Sequence, residues 1–248
     1  MQFAGTGVDK VPERIFEGRT VTCARGASAE PISEWVMAAV LAWAKRMPQT
    51  WLREPPRHWN FPTPALDSVA GSTIALVGLG GIGSAIARRA LAFDMRVHAM
   101  RRTDAPSPVG GVRVVRSMAE LVADADHLVL AAPATAKTRH LIDADVLQRV
   151  KPGVHLVNIA RGALVDQDAL HTALDDGRVA MATLDTVDPE PLPAGHWMYE
   201  HPQVRLSAHI SWYEPDLQRA ALEIFVDNLG RFARGEPLRE LVDPDEGY

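Results

Sequence analysis

From residue 73 onward the chain alternates short apolar runs of strand length with longer segments of helical periodicity. Strands that alternate with helices in this way form parallel pairs, because each helix carries the chain back across the sheet. The apolar runs cover residues 73–78, 96–100, 127–132, 154–160, 179–185 and 204–208. The pattern therefore predicts an α/β fold, a doubly wound parallel (Rossmann) sheet of six strands.

The other segments indicate how this sheet is completed. Helices are predicted over residues 84–93, 117–123, 143–150 and 166–174. A helix over 31–47 is apolar on nearly every face, which indicates burial all round, and the proline-rich stretch 48–64 is typical of an extended arm. A last helix over 215–234 should pack by its apolar stripe and stop at Gly235. A short strand is expected at 20–24.

Composition narrows the possible functions. The 248 residues include 31 acidic and 26 scattered basic side chains, a net charge of −5 that argues against a nucleic-acid partner. The longest apolar run, 35–44, is far shorter than the roughly 20 residues of a membrane span, and the first ten residues lack the pattern of a secretory signal. A single cysteine, Cys23, excludes a disulfide framework and a thiolate-rich metal site. We expect a cytoplasmic protein with no metal and no membrane partner.

A glycine-rich sequence follows the first strand of the sheet and opens the next helix. It reads Gly78-Leu79-Gly80-Gly81-Ile82-Gly83. In that position Gly78 permits a tight turn, Gly80 lets the backbone approach a pyrophosphate, and Gly83 allows close helix packing. The N–H groups at the helix start, with Gly81 and Ile82, would bind the anion. The alternative is a glycine-rich turn that binds nothing.

The next strand should reveal which nicotinamide cofactor binds. An Asp or Glu at its end would accept the ribose hydroxyls of NAD, but here the strand ends in Arg101, Arg102 and Thr103. Guanidinium groups suit a 2′-phosphate, so the sequence favours NADP, with NAD possible. A solvated strand end is the simpler alternative.

Polar side chains follow three later strands, where an open α/β sheet places its ligand site. Arg161, Asp185 and His209 each come directly after an apolar run, and Glu190 lies in a proline-rich turn after Asp185. A carboxylate beside an imidazole favours the protonated ring, which can then donate to a developing alkoxide. Each residue alone has a structural explanation; the combination predicts an acid catalyst beside a cation.

These residues lie in motifs that closely resemble the NAD(P)-dependent D-2-hydroxyacid dehydrogenases over nearly all of the chain. The motifs are Asn158-Ile159-Ala160-Arg161-Gly162-Ala163-Leu164-Val165-Asp166, then Leu184-Asp185, Glu190-Pro191-Leu192-Pro193 and Ser207-Ala208-His209. The resemblance implies that Arg161 binds the substrate carboxylate, that His209 donates the proton, and that Glu190 orients His209.

The same resemblance implies several binding residues. Asp185 would lie near the nicotinamide carboxamide, and Pro133 and Ala160 would contact the cofactor. The loop that contains Thr6 and Gly7 is similar to the one whose N–H groups bind the substrate carboxylate.

Members of this family normally begin with a further β/α lobe, whereas here Gly5 lies four residues after Met1. We therefore expect residues 1–29, together with 214–248, to be the remnant of a substrate-binding lobe. Residues 30–213 would form the NADP-binding domain, including a dimerisation helix and arm, in a homodimer.

The resemblance implies an oxidoreductase that transfers hydride from NADPH to a small 2-keto acid such as glyoxylate or hydroxypyruvate. Two alternatives remain. The chain could be a nucleotide-sensing binding protein like the family's corepressors, or a cofactor-binding remnant without activity.

Overall fold

The computed structural model describes residues 1–56, 59, 65–103 and 105–243. Its sheet has seven parallel strands. They are β1 (Thr73–Val77), β2 (Arg96–Met100), β3 (Val112–Val115), β4 (His127–Leu130), β5 (Val154–Asn158), β6 (Val179–Leu184) and β7 (Val204–Leu206). The spatial order is β3-β2-β1-β4-β5-β6-β7, so the winding reverses between β1 and β4. This confirms the doubly wound fold, and a crevice is expected at the carboxyl ends of β1 and β4.

Helices cover both faces of the sheet. They are α1 (Ala29–Ala44), α2 (Gly81–Ala92), α3 (Met118–Ala123), α4 (Ala144–Leu147), α5 (Gln167–Asp175) and α6 (Leu217–Arg234). Side chains of Ser117, Asp143 and Asp166 cap α3, α4 and α5 by accepting backbone N–H bonds of the first turn. Each cap fixes the point at which a crossover helix begins.

Successive side chains of each strand enter two different cores. In β1, Ala75 and Val77 pack into the core beneath α3 to α5, while Ile74 and Leu76 pack beneath α1 and α2. A strand buried on both faces shows a continuous apolar run, which is why these strands could be recognised in the sequence.

The expectation of six strands was wrong, because β3 forms a seventh at the edge beside β2. The expected strand at 20–24 is also absent. In its place Thr22 makes single bridges to Gln2 and to Leu241. Around these bridges lies a small cluster of four buried residues, Val8, Val21, Cys23 and Val242.

Two helices differ from expectation in their burial. Trp35 and Trp43 on α1 are only half-buried, so that helix is not buried all round. On α6 the apolar stripe that should pack is exposed at Phe225, Leu229 and Phe232, and Leu222 and Val226 beside it are exposed as well. The helix does stop at Gly235, whose φ of 70° is left-handed.

The proline-rich stretch 48–64 lies partly outside the described residues; within it Trp51 and Trp59 are exposed. In the part of the chain that the structure describes, no helix combines the length and apolar character needed to cross a bilayer.

Candidate active site

The glycine turn between β1 and α2 depends on backbone conformations that only glycine adopts easily. Gly78 has a φ of 106°, and its N–H donates to the Met100 carbonyl at 2.9 Å. A Cβ at Gly83 would overlap the Gly78 carbonyl, so a larger residue would push α2 away from β1. At Gly80 nothing lies within 4 Å of the position a Cβ would take, which leaves the space before the turn open to a ligand.

The amino terminus of α2 borders the same turn. Gly80 is its N-cap residue, no described side chain caps the helix, and its first bond runs from the Ser84 N–H to the Gly80 carbonyl. The N–H groups of Gly81, Ile82 and Gly83 are therefore available to an anion at the positive end of the helix dipole. Together with the open space at Gly80, these groups fit the pyrophosphate of a nicotinamide dinucleotide.

The other residues expected to bind a cofactor also follow strands of the sheet. Arg101, Arg102 and Thr103 come after β2, and the Arg101 guanidinium donates to the carbonyls of Ala105 and Pro106 at 3.3 and 2.7 Å. These bonds hold Arg101 against the loop that leaves β2. Pro133 and Ala160 follow β4 and β5, on the far side of the switch point.

Arg161, directly beyond β5, forms an ion pair with Asp9. Its Nε and Nη2 atoms donate to the two carboxylate oxygens at 3.0–3.2 Å, and Nη1 donates to the Ala160 carbonyl at 2.7 Å. Partial burial raises the pKa of Asp9, but the hydrogen bonds and charge of Arg161 outweigh it and hold that pKa below its usual value. Of the five guanidinium protons, one on each Nη nitrogen stays available to a substrate.

The loop that contains Asp9 also supplies Thr6 and Gly7. A Cβ on Gly7 would overlap Arg161 Nη2, so the absence of a side chain lets the guanidinium lie against this backbone. The Thr6 hydroxyl donates to the Ala24 carbonyl at 3.4 Å. The structure thus brings the predicted substrate loop into contact with the predicted carboxylate-binding arginine.

His209 and Glu190 form a hydrogen-bonded pair, with 3.1 Å between Nδ1 and Oε2. The imidazole is about one-third exposed and Glu190 less so. The Glu190 carboxylate also accepts the Val187 N–H at 3.3 Å. With Nδ1 directed at the carboxylate, Nε2 is the nitrogen that can exchange a proton with a substrate.

Asp185 fixes the segment that contains His209. Its carboxylate accepts the Ser207 hydroxyl at 2.5 Å and the N–H groups of Ile210 and Ser211 at 2.9 Å, and its carbonyl accepts the His209 N–H. Burial raises the pKa of Asp185, but these hydrogen bonds outweigh it and keep the pKa below its usual value. Between these bonded residues His209 has a left-handed backbone with φ of 54°.

One loop contacts both Arg161 and the His209–Glu190 pair. Asp9 contacts Arg161, and the next residue, Lys10, lies 3.9 Å from the Glu190 carboxylate. Arg161 and the His209–Glu190 pair therefore flank the same short segment at the carboxyl edge of the sheet. A guanidinium and an acidic imidazole placed in this way can bind a carboxylate and protonate an adjacent oxygen.

Sequence reasoning missed Asp9 and Lys10. Asp9 is 152 positions from Arg161, and no local pattern indicates a contact over that separation. The available signal was that Asp9 ends the predicted substrate loop and that Lys10 follows it directly.

The chain is similar to several known proteins. Residues 37–211 match the NAD-binding domain of the D-isomer specific 2-hydroxyacid dehydrogenases. A glyoxylate reductase of Korarchaeum cryptofilum is 33% identical over 244 residues, which are 95% of this chain and 72% of that protein. A D-3-phosphoglycerate dehydrogenase of Bacillus subtilis is 31% identical over 97% of this chain.

Among solved structures, a D-isomer specific 2-hydroxyacid dehydrogenase of Xanthobacter autotrophicus Py2 in complex with NADPH and MES superposes with a TM-score of 0.87 at 28% identity. The match covers 100% of this chain and 78% of that one. The chain spans 46% of the Bacillus subtilis protein, so it is shorter than each of these relatives.

Proposed function

The chain belongs to the family of D-isomer specific 2-hydroxyacid dehydrogenases, and we propose that it reduces a small 2-keto acid to a D-2-hydroxy acid with NADPH. The observation that carries this proposal is the His209–Glu190 pair, 3.1 Å apart, joined to Arg161 through the loop at Asp9 and Lys10.

The cofactor would be held by the glycine turn and by the N–H groups at the start of α2, and when bound it supplies the hydride. The protein's own residues do the rest. The available Nη protons of Arg161 bind the substrate carboxylate and draw electron density from the neighbouring keto oxygen. His209 Nε2 donates its proton to that oxygen as negative charge develops there, and Glu190 holds the ring and balances its charge.

The proposed preference for NADPH rests on Arg101 and Arg102, which follow β2 where an acidic residue would accept the ribose hydroxyls of NAD. The carbonyls of Ala105 and Pro106 hold Arg101 at the end of β2. This strand end lies beside the glycine turn, because the Gly78 N–H donates to the carbonyl of Met100, the residue before Arg101. The NADPH complex of the Xanthobacter autotrophicus protein supports the same choice.

Glyoxylate and hydroxypyruvate are the substrates we propose, since the relatives at 30–33% identity over most of both chains include glyoxylate reductases.

The half-buried face of α1, with Trp35 and Trp43, is the surface we propose for a homodimer. We further propose that residues 1–29 and 214–243 belong to the substrate side of the molecule, and that the protein is cytoplasmic.

Steady-state oxidation of NADPH by glyoxylate tests the function directly. We expect turnover that falls when His209 is replaced, together with fluorescence-detected binding of NADPH. Binding without turnover would contradict the enzymatic proposal and favour a nucleotide-sensing role. Absence of both would contradict the cofactor site as well.

A further inference from the structure

A cluster of metal-ligating side chains lies at the end of α5 that is remote from the candidate active site. His171 and Asp175 are one helical turn apart on the same face of α5, and His201 reaches them from the turn before β7. Asp175 carboxylate oxygens lie 3.7 Å from His171 Nε2 and 3.5 Å from His201 Nε2. The three ligating atoms all lie within 4.8 Å of one another.

Neighbouring rings hold both imidazoles in place. Trp197 stacks on His171 with 4.1 Å between ring centroids and 9° between planes, and it meets the His201 ring edge-on at 5.7 Å. The His201 side chain is only 10% exposed. The two nitrogen ligands are therefore largely positioned by packing that does not involve a bound ion.

The local charge favours a cation. Asp175 and Asp176 stand at the carboxyl end of α5, where the helix dipole is negative, and the last turn contains no basic residue. Arg178 pairs with Asp176 at 3.3 Å, whereas the ionic partners of Asp175 within the described part of the chain are the two histidines. The carboxylate thus lacks a permanent positive neighbour.

We propose that His171, Asp175 and His201 bind a late first-row divalent transition metal of the Zn²⁺ class. Two imidazole nitrogens and one carboxylate suit such an ion, whereas Mg²⁺ and Ca²⁺ select oxygen ligands. Tetrahedral bonds of about 2.0–2.1 Å separate ligand atoms by about 3.3 Å, so the three side chains, whose ligating atoms lie within 4.8 Å of one another, need only a small inward movement to take up the ion. The fourth position is left to water, and the ion joins α5 to the turn before β7.

His201 must change its tautomer when the ion binds. Its Nδ1 now accepts the Gln203 N–H at 3.2 Å, which places the ring proton on Nε2. A metal on Nε2 displaces that proton, and the neutral ring then carries its proton on Nδ1, so the 3.2 Å hydrogen bond from the Gln203 N–H is broken. This exchange gives the site a spectroscopic signature that the free protein lacks.

The test is calorimetric titration of the full chain with ZnCl₂, with MgCl₂ in parallel. We expect Zn²⁺ to bind, Mg²⁺ not to bind, and His171→Gln or Asp175→Asn to remove one site or weaken it at least about tenfold. Both replaced side chains are largely exposed, so these variants should fold. Two-dimensional ¹H–¹⁵N spectra should show one histidine changing from the Nε2–H to the Nδ1–H tautomer.

His140→Gln is the matched control. His140 is 44% exposed against 42% for His171, and it faces the carboxylate of Asp166, the N-cap residue of α5, at 4.0 Å with no third ligand among the residues that the structure describes. The His140→Gln variant should bind Zn²⁺ with the stoichiometry and affinity of the wild type. The proposal is overturned if the wild type takes up no Zn²⁺ at an excess of free ion, or if His171→Gln and Asp175→Asn keep its stoichiometry and affinity.

A thermal shift provides a second readout. At about a hundredfold excess over the dissociation constant, Zn²⁺ should raise the melting temperature by about 5–10 °C in the wild type and in His140→Gln. An equal rise in His171→Gln would count against the cluster.

Discussion

The sheet and the terminal segments contribute to one site but are built very differently. The sheet side, β1 to β7 with α1 to α5, rests on two large buried clusters and supplies the glycine turn, Arg161 and His209. The terminal side, residues 1–28 and 235–243 with α6, has one small cluster of four buried residues and supplies Asp9 and Lys10. The groups that would perform chemistry thus stand on the extensively packed sheet side together with Asp185 and Glu190, whereas Asp9, which orients Arg161, stands on the thinly packed terminal side.

The helices show the same contrast. α2 has twelve residues, half of which are buried, and begins at a turn that only glycine permits. α6 has eighteen residues and is strongly amphipathic, yet only Asn228 on it is buried among the residues described. Amphipathic periodicity is enough to form a helix, but burial supplies most of the stability. We therefore expect substitutions on the sheet side to affect turnover and the free energy of unfolding most strongly, and substitutions on the terminal side to affect mainly the orientation of Arg161.

The largest expected effect is on turnover, from His209→Asn. Asparagine tolerates the left-handed backbone at this position, so the change removes the proton donor with little strain. The proton is needed only in the transition state, so kcat should fall about 10²–10⁴-fold with a smaller change in KM.

His140→Asn is its control, because His140 is also left-handed, with φ of 49°, and lies at the surface. Initial rates of NADPH oxidation by glyoxylate measure both variants. An unchanged kcat in His209→Asn would assign the proton to another group.

A pair of Leu→Ala substitutions tests the contrast in packing. Leu156 in β5 is fully buried, so its truncation should lower the free energy of unfolding by about 2–5 kcal/mol. Leu229 in α6 is 56% exposed, so the same change should cost within about 0.5 kcal/mol. Urea denaturation compares the two, and equal losses would show that the exposed face of α6 is covered in solution.

Arg101→Asp should alter the cofactor preference of the sheet side. A charge-assisted bond to a phosphate contributes about 1.5–3 kcal/mol, so the ratio of NADPH to NADH affinity should fall about ten- to hundredfold. Dissociation constants from fluorescence titration provide the ratio. If the wild type binds both cofactors equally, Arg101 does not contact the 2′-phosphate.

Acid should weaken the sheet side first, through two buried histidines. His127 and His155 lie 3.2 Å apart between their Nδ1 atoms, and His155 Nε2 is 2.8 Å from the Thr183 hydroxyl. Burial lowers the pKa of His127 to about 4 and that of His155 well below its usual value. Both rings stay neutral in the folded protein while the unfolded chain takes up protons, so stability falls as pH drops below about 6.5.

His127 alone should cost about 2 kcal/mol between pH 7 and pH 5. The carboxylates with lowered pKa values, Asp9, Asp126 and Asp185, add their losses only nearer pH 4, below this window. Urea denaturation at several pH values measures the slope. A free energy of unfolding that stays level from pH 7 to 5 would contradict the assignment.

The same contrast explains what the sequence could predict. Continuous buried runs such as β1 and β5 stand out in a sequence. The carboxyl ends of β5, β6 and β7 bring Arg161, Asp185 and His209 to one edge of the sheet. The strand β3 was missed because it is four residues long, at the sheet edge and interrupted by Arg113. On the terminal side, the stripe of α6 predicts a helix without indicating what packs against it, and the contact of Asp9 with Arg161 arises only from the folded chain.

The smallest effect we predict concerns Asp9, the point at which the two sides meet. Its carboxylate holds Arg161 through Nε and Nη2, so Asp9→Asn keeps one acceptor oxygen but loses the charge that fixes the guanidinium. A less ordered guanidinium is worse placed to bind a carboxylate and polarise the keto group, and kcat/KM should fall about tenfold. The free energy of unfolding should fall only by the loss of this ion pair, because Val8 beside it stays buried in the small terminal cluster. Glu13→Gln, at an exposed acid of the same segment, should leave kcat/KM unaltered. A rise in kcat/KM for Asp9→Asn would mean that Asp9 competes with the substrate for Arg161, and the terminal side would then restrain the site rather than orient it.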